Sequence, residues 1–249
     1  MSANKKSPLA LIGEGANEFI KIGLSENGFN IIPLPADNRL APQVSSHADM
    51  LLLAIEDTVF CNNAYCEKNK SIFDLIADYG YKICKCDFEV SNKYPNDVSL
   101  NQAVIAKNII GREQSCAKSV LEYAATHGFT YNSINQGYAK CSTLILNEKA
   151  VISADTSVIA TVERLGISAL KIRNGVIEIT LDGYDYGFIG GASAVYEDKV
   201  YFFGNLSLHT DSDEITKFCQ SNGMNPISLG KDKLCDIGGA IILPYIKSE

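Results

Sequence analysis

Ala54-Ile-Glu-Asp-Thr-Val-Phe60, Leu100-Asn-Gln-Ala-Val-Ile105, Leu146-Asn-Glu-Lys-Ala-Val-Ile152 and Tyr196-Glu-Asp-Lys-Val-Tyr-Phe202 follow one strand–turn–strand plan. With Val59, Val104, Val151 and Tyr201 taken as equivalent, the spacings are 45, 47 and 50 residues. A period of this size implies units that bury their apolar faces against copies of themselves.

A helical pattern follows each hairpin. Ile72, Leu75 and Ile76 share one face of 71–79, and Val120, Leu121 and Ala124 share one face of 115–126. The segment 157–165 carries Val158, Thr161, Val162 and Leu165 after Asp155 or Thr156 as N-cap. The segment 211–220 opens on Asp211 with Glu214 three residues later, the spacing of a capping box. Each helix then meets a glycine and an apolar residue, Gly80-Tyr81, Gly128-Phe129, Gly166-Ile167 and Gly223-Met224. Glycine accepts the left-handed conformation that ends a helix, so a short strand is expected after each.

The termini complete the pattern. Leu9–Ile12, the helix 16–26, Gly28-Phe29 and Asn30–Leu34 form the second half of a unit, and Gly238–Leu243 forms the first half. The expected fold is α/β: a single domain over 1–249, built as five strand-strand-helix-strand units around a pseudo-fivefold axis. The units span approximately 47–93, 94–137, 138–183, 184–234, and 235–245 joined with 8–34. Closure by both ends leaves no free sheet edge round the ring. The alternative is an ordinary α/β sandwich with similar segments.

Composition narrows the function classes. Twenty-two basic and 29 acidic residues give a formal charge of −7, which argues against bulk phosphate-backbone binding. There is no nucleic-acid signature, and no apolar run reaches the length of a membrane span. The stretch 1–7 lacks the apolar core of a signal peptide. Eight cysteines without an export signal are read as reduced thiols, which implies a cytoplasmic protein.

Five such units closed by joined ends resemble the pentein superfamily of guanidino-group modifying enzymes, over Leu9 to Pro244. That superfamily includes arginine deiminases, dimethylarginine and agmatine hydrolases and amidinotransferases. The same fold serves translation initiation factor 6, a ribosome binder without catalysis. The resemblance implies a five-bladed α/β propeller and, for the enzymes, a cysteine nucleophile, a proton-shuttling histidine and carboxylates that grip a cation. The usual cysteine follows a Gly-rich stretch in the last unit. Here Gly238-Gly-Ala-Ile-Ile-Leu243 puts Ile242 and Leu243 where His and Cys would stand.

Polar residues at the leading ends of the inner strands remain as candidates. Cys141 is the candidate nucleophile and His47 its acid/base, 94 residues apart. Asp49, Asp97, Asp185 and Asp236, with Tyr184 and Tyr186, would hold a small cation, and Lys140 would tune the thiol. The plainer reading is that these aspartates cap turns and that His47 and Cys141 are structural. His127 precedes a helix-ending glycine, and His209 reads as exposed. Cys61, Cys66, Cys84 and Cys86 have no common zinc spacing, so neither metal nor cofactor is expected. Gly187-Phe-Ile-Gly-Gly and Cys235-Asp-Ile-Gly-Gly lead into strands and read as close backbone approaches, not as a nucleotide cradle. Val176–Leu181 reads as a strand inserted in unit three. The functional expectation is binding, with hydrolysis as its catalytic version, of a guanidino or amidine compound in an axial channel. The alternatives are a protein- or ribosome-binding module and a decayed enzyme that keeps only its ligand.

Overall fold

The computed structural model describes residues 6–246. Residues 1–5 and 247–249, the ends of the expected domain, lie outside the described residues.

The chain opens with β1 (Leu9–Gly13), α1 (Glu18–Glu26) and β2 (Asn30–Leu34). Next come α2 (Ala48–Leu51), β3 (Leu52–Ile55), β4 (Thr58–Asn62), α3 (Asn63–Lys68), α4 (Lys70–Asp78) and β5 (Lys82–Cys86). They are followed by β6 (Ala103–Ile105), β7 (Asn108–Gly111), α5 (Lys118–Thr126) and β8 (Thr130–Ser133). Then come β9 (Thr143–Asn147), β10 (Ala150–Ser153), α6 (Thr156–Arg164), β11 (Ser168–Lys171) and the short β12 (Ile179–Thr180). The chain ends with β13 (Ser193–Tyr196), β14 (Lys199–Phe202), α7 (Ser212–Ser221), β15 (Asn225–Ser228), β16 (Leu234–Cys235) and β17 (Ile241–Leu243).

The result is a mixed α/β fold of small separate sheets, five of them three-stranded and wired alike. In each, the first strand is antiparallel to the second and the second is parallel to the third. The same holds for β9-β10-β11 and β13-β14-β15. A parallel pair needs a crossover, and the helix between second and third strands supplies it. The sheet β17-β1-β2 joins the two ends of the chain.

Burial follows strand order. The middle strands β1, β4 and β10 are buried along their whole length, while the third strands alternate toward solvent. Pro33 and Pro226 sit in two of these third strands, where an edge tolerates a missing donor. The helix-ending glycines Gly28, Gly80, Gly128, Gly166 and Gly223 all take positive φ, from 72° to 97°. Asp155 caps α6, accepting from the backbone N–H groups of Ser157 and Val158.

Three local expectations are corrected. Val104 lies on the first strand of its hairpin, and the residues in register with Val59 and Val151 are Ile109 and Val200, so Tyr201 stands one residue late. The turn of the Val104 hairpin comes later than the one at Glu56, with Ala106 taking φ 49°. Asp211 makes no side-chain cap to α7; it accepts from the Arg173 backbone N–H and pairs with the Arg173 guanidinium at 2.9 Å. Within Val176–Leu181 only Ile179–Thr180 forms a strand, parallel to β16.

The first strands of the five sheets face one another. Leu53, Val104, Ile145, Val195 and Ile241, one from each, line a cavity of about 220 Å³ together with Asp49 and Lys140.

Candidate functional site

The functional groups gather where the chain enters these first strands. One hydrogen-bonded circuit links all five entries. The Asp49 N–H donates to the Gly238 carbonyl (3.2 Å), and the Asn101 side-chain amide donates to the Asp49 carbonyl (3.3 Å). The Cys141 N–H donates to Asn101 Oδ1 (3.1 Å), the Gly191 N–H to the Cys141 carbonyl (3.0 Å) and the Gly239 N–H to the Gly191 carbonyl (2.7 Å).

Such close backbone approach needs glycine. A Cβ on Gly190 would stand 2.4–2.6 Å from the carbonyl oxygens of Thr143, Lys140 and Cys141. One on Gly238 would stand 2.3 Å from the His47 Cβ. The two Gly-Gly turns do what their sequence implied.

Cys141 lies at the centre. Its thiol donates to Asp49 Oδ2 at 2.9 Å, and its sulfur accepts from Asn101 Nδ2 at 3.0 Å. Burial pushes this thiol well above its ordinary value, and the nearby Asp49 and Asp236 carboxyls push it the same way. Lys140 does not tune it. Both residues lie in the turn before β9, where Cys141 lines a second cavity, whereas Lys140 lines the one among the first strands and acts on Asp49 and Asp236. The expectation of a thiol acidified by Lys140 is therefore corrected.

The two buried carboxyls also stand high. Burial raises Asp49 to about 7, against the opposing pull of Lys140, and raises Asp236 to about 6. Asp49 Oδ1 is buried without a hydrogen-bond partner. Asp236 is fully engaged, Oδ1 accepting from the Gly238 N–H (3.0 Å) and Oδ2 from the Phe188 N–H (2.8 Å). For Asp236 the turn-bracing reading holds. Burial lowers His47 to about 4, and its Nδ1 stands 3.9 Å from Asp236 Oδ1. Among the described residues the hydrogen-bond partners of the thiol are Asp49 and Asn101, not His47.

The second cavity, of about 250 Å³, is lined by His47, Cys141 and Asp236 together with Tyr138, Tyr184, Asp185, Tyr186 and Phe188. Phe188 stacks on Tyr138 at 6.4 Å and meets Tyr186 edge-on at 6.0 Å. Tyr184 and Asp185 are exposed at its rim. Asp97 lies behind the wall, accepting from the Tyr138 hydroxyl at 2.5 Å. The carboxylates thus form no ring: Asp49 and Asp236 are buried beside Cys141, Asp185 is at the rim and Asp97 is one residue removed.

Sequence reasoning missed Asn101 and Tyr138. Asn101 enters its first strand just as Asp49 and Cys141 enter theirs, and the misplaced Val104 shifted attention to Asn96-Asp97. His209 is corrected as well. It is 2% exposed, and its Nδ1 accepts from the Asp211 N–H. His127 stacks on Tyr123 at 3.7 Å. Leu243 pairs with Leu9 in a buried strand, so the last unit offers no thiol there. No helix among the described residues is long and apolar enough to cross a membrane.

Comparison with solved structures places this arrangement. DDAH from Pseudomonas aeruginosa, a cysteine-to-serine variant in complex with citrulline, superposes at a TM-score of 0.58 and 10% identity, over 97% of this chain and 99% of that one. SxtG, an amidinotransferase from Microseira wollei, gives 0.55 at 10% identity, over 98% and 96%. A C. jejuni agmatine deiminase with substrate bound gives 0.56 at 8%, over 98% and 95%. These are pentein superfamily members, and the fold resembles theirs. The chain itself belongs to a family described as of unknown function (DUF6873), whose profile matches residues 11–241. No curated protein sequence matches it.

Proposed function

We propose that this protein binds a small cationic guanidino or amidine compound in the cavity between Cys141 and the tyrosine wall, and that Cys141 attacks its central carbon. The observation that carries the reading is a thiol held between a buried carboxyl and an amide donor, at the edge of an aromatic cavity. A cation there meets the field of Asp49 and Asp236 and the faces of Tyr138, Tyr184 and Tyr186. Its positive charge also favours ionisation of both carboxyls and the thiol, which burial alone opposes. Cys141 is the nucleophile and His47, neutral at physiological pH, the base for a water that releases the product. Lys140 lines the neighbouring cavity together with Asp49.

The same reading takes the five sheets as blades of a pseudo-fivefold propeller forming a single domain over 1–249. Its support is the common wiring and the hydrogen-bonded circuit through all five strand entries. The cavity among the first strands is then axial. The solved neighbours include proteins in complex with citrulline and with L-arginine, which makes this ligand class the natural one to offer.

A second reading, binding without turnover, is favoured by one observation: the thiol rests in its neutral form. Calorimetric titration with methylguanidine, agmatine, L-arginine and dimethylarginine, followed by assays for released ammonia or amine, tests both. Saturable binding of at least one compound is expected, weakened about tenfold by Asp49→Asn, a loss of about 1.4 kcal/mol. Binding without release would leave the second reading. No heat with any compound would remove the ligand class.

A further inference from the structure

We infer that Asp49, not His47, is the group that takes the proton from the Cys141 thiol. The inference rests on Cys141 being the reacting thiol of the proposed site, and it assigns the first proton transfer within it.

The geometry is direct. The thiol donates to Asp49 Oδ2 at 2.9 Å, within hydrogen-bond reach of a general base, while the His47 ring is directed at Asp236. The base is held in place from two sides. The Asp49 N–H is fixed on the Gly238 carbonyl, and its own carbonyl accepts from Asn101, whose side chain also orients the sulfur. The other carboxyl oxygen, Oδ1, is buried without a partner. An ionised carboxylate so placed is poorly solvated, and accepting a proton relieves that cost. The charged and titratable groups acting on Asp49 are Lys140, Asp236 and Cys141 itself; their sum with burial leaves it near 7, the range a base needs at neutral pH. His47, lowered to about 4, is the weaker base.

In the step, the S–H bond breaks and its proton passes to Asp49 Oδ2. The sulfur pair forms a bond to the guanidinium or amidinium carbon, and the C=N π pair withdraws onto nitrogen and cancels the substrate's charge. The proton on Asp49 is returned to the departing amine as its C–N bond breaks. No oxidant or further reactant is required.

The test is the rate of Cys141 alkylation by iodoacetamide against pH, without ligand, resolved by peptide mass spectrometry. In the wild-type protein the rate is expected to rise with an inflection near 7 as Asp49 ionises. Asp49→Asn should slow it about tenfold or more at neutral pH and abolish that inflection. The sign is decisive, because a purely electrostatic role predicts the reverse: removing a negative charge beside a thiol eases its ionisation and speeds alkylation. A faster or unchanged rate in Asp49→Asn overturns the inference. So does a rate that falls in His47→Ala while it rises in Asp49→Asn. If Asp49→Asn does not fold, the wild-type profile still decides, since an inflection at or above 9, the ordinary thiol value, leaves Asp49 no part. Because no ligand is present, slow alkylation in Asp49→Asn together with silent calorimetry would retain the proton transfer and discard only the substrate class.

Discussion

Gly190→Ala is expected to destabilise the protein by about 3 kcal/mol, a fall of roughly 6–12 °C in the unfolding midpoint for a chain of this size. The added methyl meets three carbonyl oxygens at once, those of Thr143, Lys140 and Cys141, at 2.4–2.6 Å. All three belong to backbone, so no rotamer change relieves the contact. Relief requires the 140–143 turn and the 190–191 turn to part, which breaks the Gly191–Cys141 hydrogen bond and moves the thiol from Asp49. Gly166→Ala is the control. It adds a methyl with nothing within 4 Å, at φ 74°, so only the left-handed backbone term of about 1–2 kcal/mol remains. Thermal unfolding by circular dichroism distinguishes the two. Equal losses would mean that the turn crossing at the site is not tightly packed.

Asp49→Asn is expected to stabilise the unliganded protein at alkaline pH and to do nothing at acid pH. A folded-state value of about 7 against an ordinary 3.8 means that the native state binds more protons than the unfolded chain between those limits. The stabilisation from this group is therefore complete below about 3.8 and is lost as pH rises through about 7. Asp236, at about 6, acts in the same direction over a narrower window. His47 opposes both: lowered to about 4 from 6.5, it makes stability rise across that interval. Above neutrality His47 and Asp236 have finished titrating, and the buried charge of Asp49 remains, with one oxygen unpaired. An amide of the same shape removes that charge, for a gain on the order of 2 kcal/mol near pH 8. Unfolding midpoints measured near pH 3, below the window that opens at 3.8, and near pH 8, above it, check the prediction. A variant destabilised equally at both would mean that the Cys141–Asp49 hydrogen bond outweighs the buried charge. This gain in stability beside a slower thiol is the trade expected of a functional group kept at some expense to the fold.

The architecture was legible because it is written in repetition. One glycine step and one hairpin plan recur, and the structure has five sheets of one wiring with left-handed glycines ending the helices. The fourth hairpin is one residue out of the expected register, at Val200 rather than Tyr201, and the second is five residues out. The strands of the second are short, and an apolar run across 103–105 with another across 108–111 lets the turn be placed on either side of Val104. That five-residue slip hid Asn101.

For the candidate site, which residues come together was more legible than which atom faces which. His47, Asp49, Lys140, Cys141 and Asp236 all precede first strands, so their meeting follows from the repeat. Which atom faces which does not. Cys141 and Lys140 look like a thiol and its activating cation, but the turn that carries them places the two at different cavities. The four aspartates look equivalent until backbone N–H groups claim both oxygens of Asp236 and Tyr138 claims Asp97. His209 reads as exposed because it precedes a helix, yet the 3-10 turn Leu206–Leu208 folds it inward.

A crystal structure of the protein soaked with an alkylguanidine tests the central claim most directly. The guanidinium is expected in the cavity of Cys141, its plane against Tyr138, Tyr186 or Phe188 and its charge toward Asp49 and Asp236. An empty cavity at saturating ligand, or a cation held only at the outer surface, would contradict it.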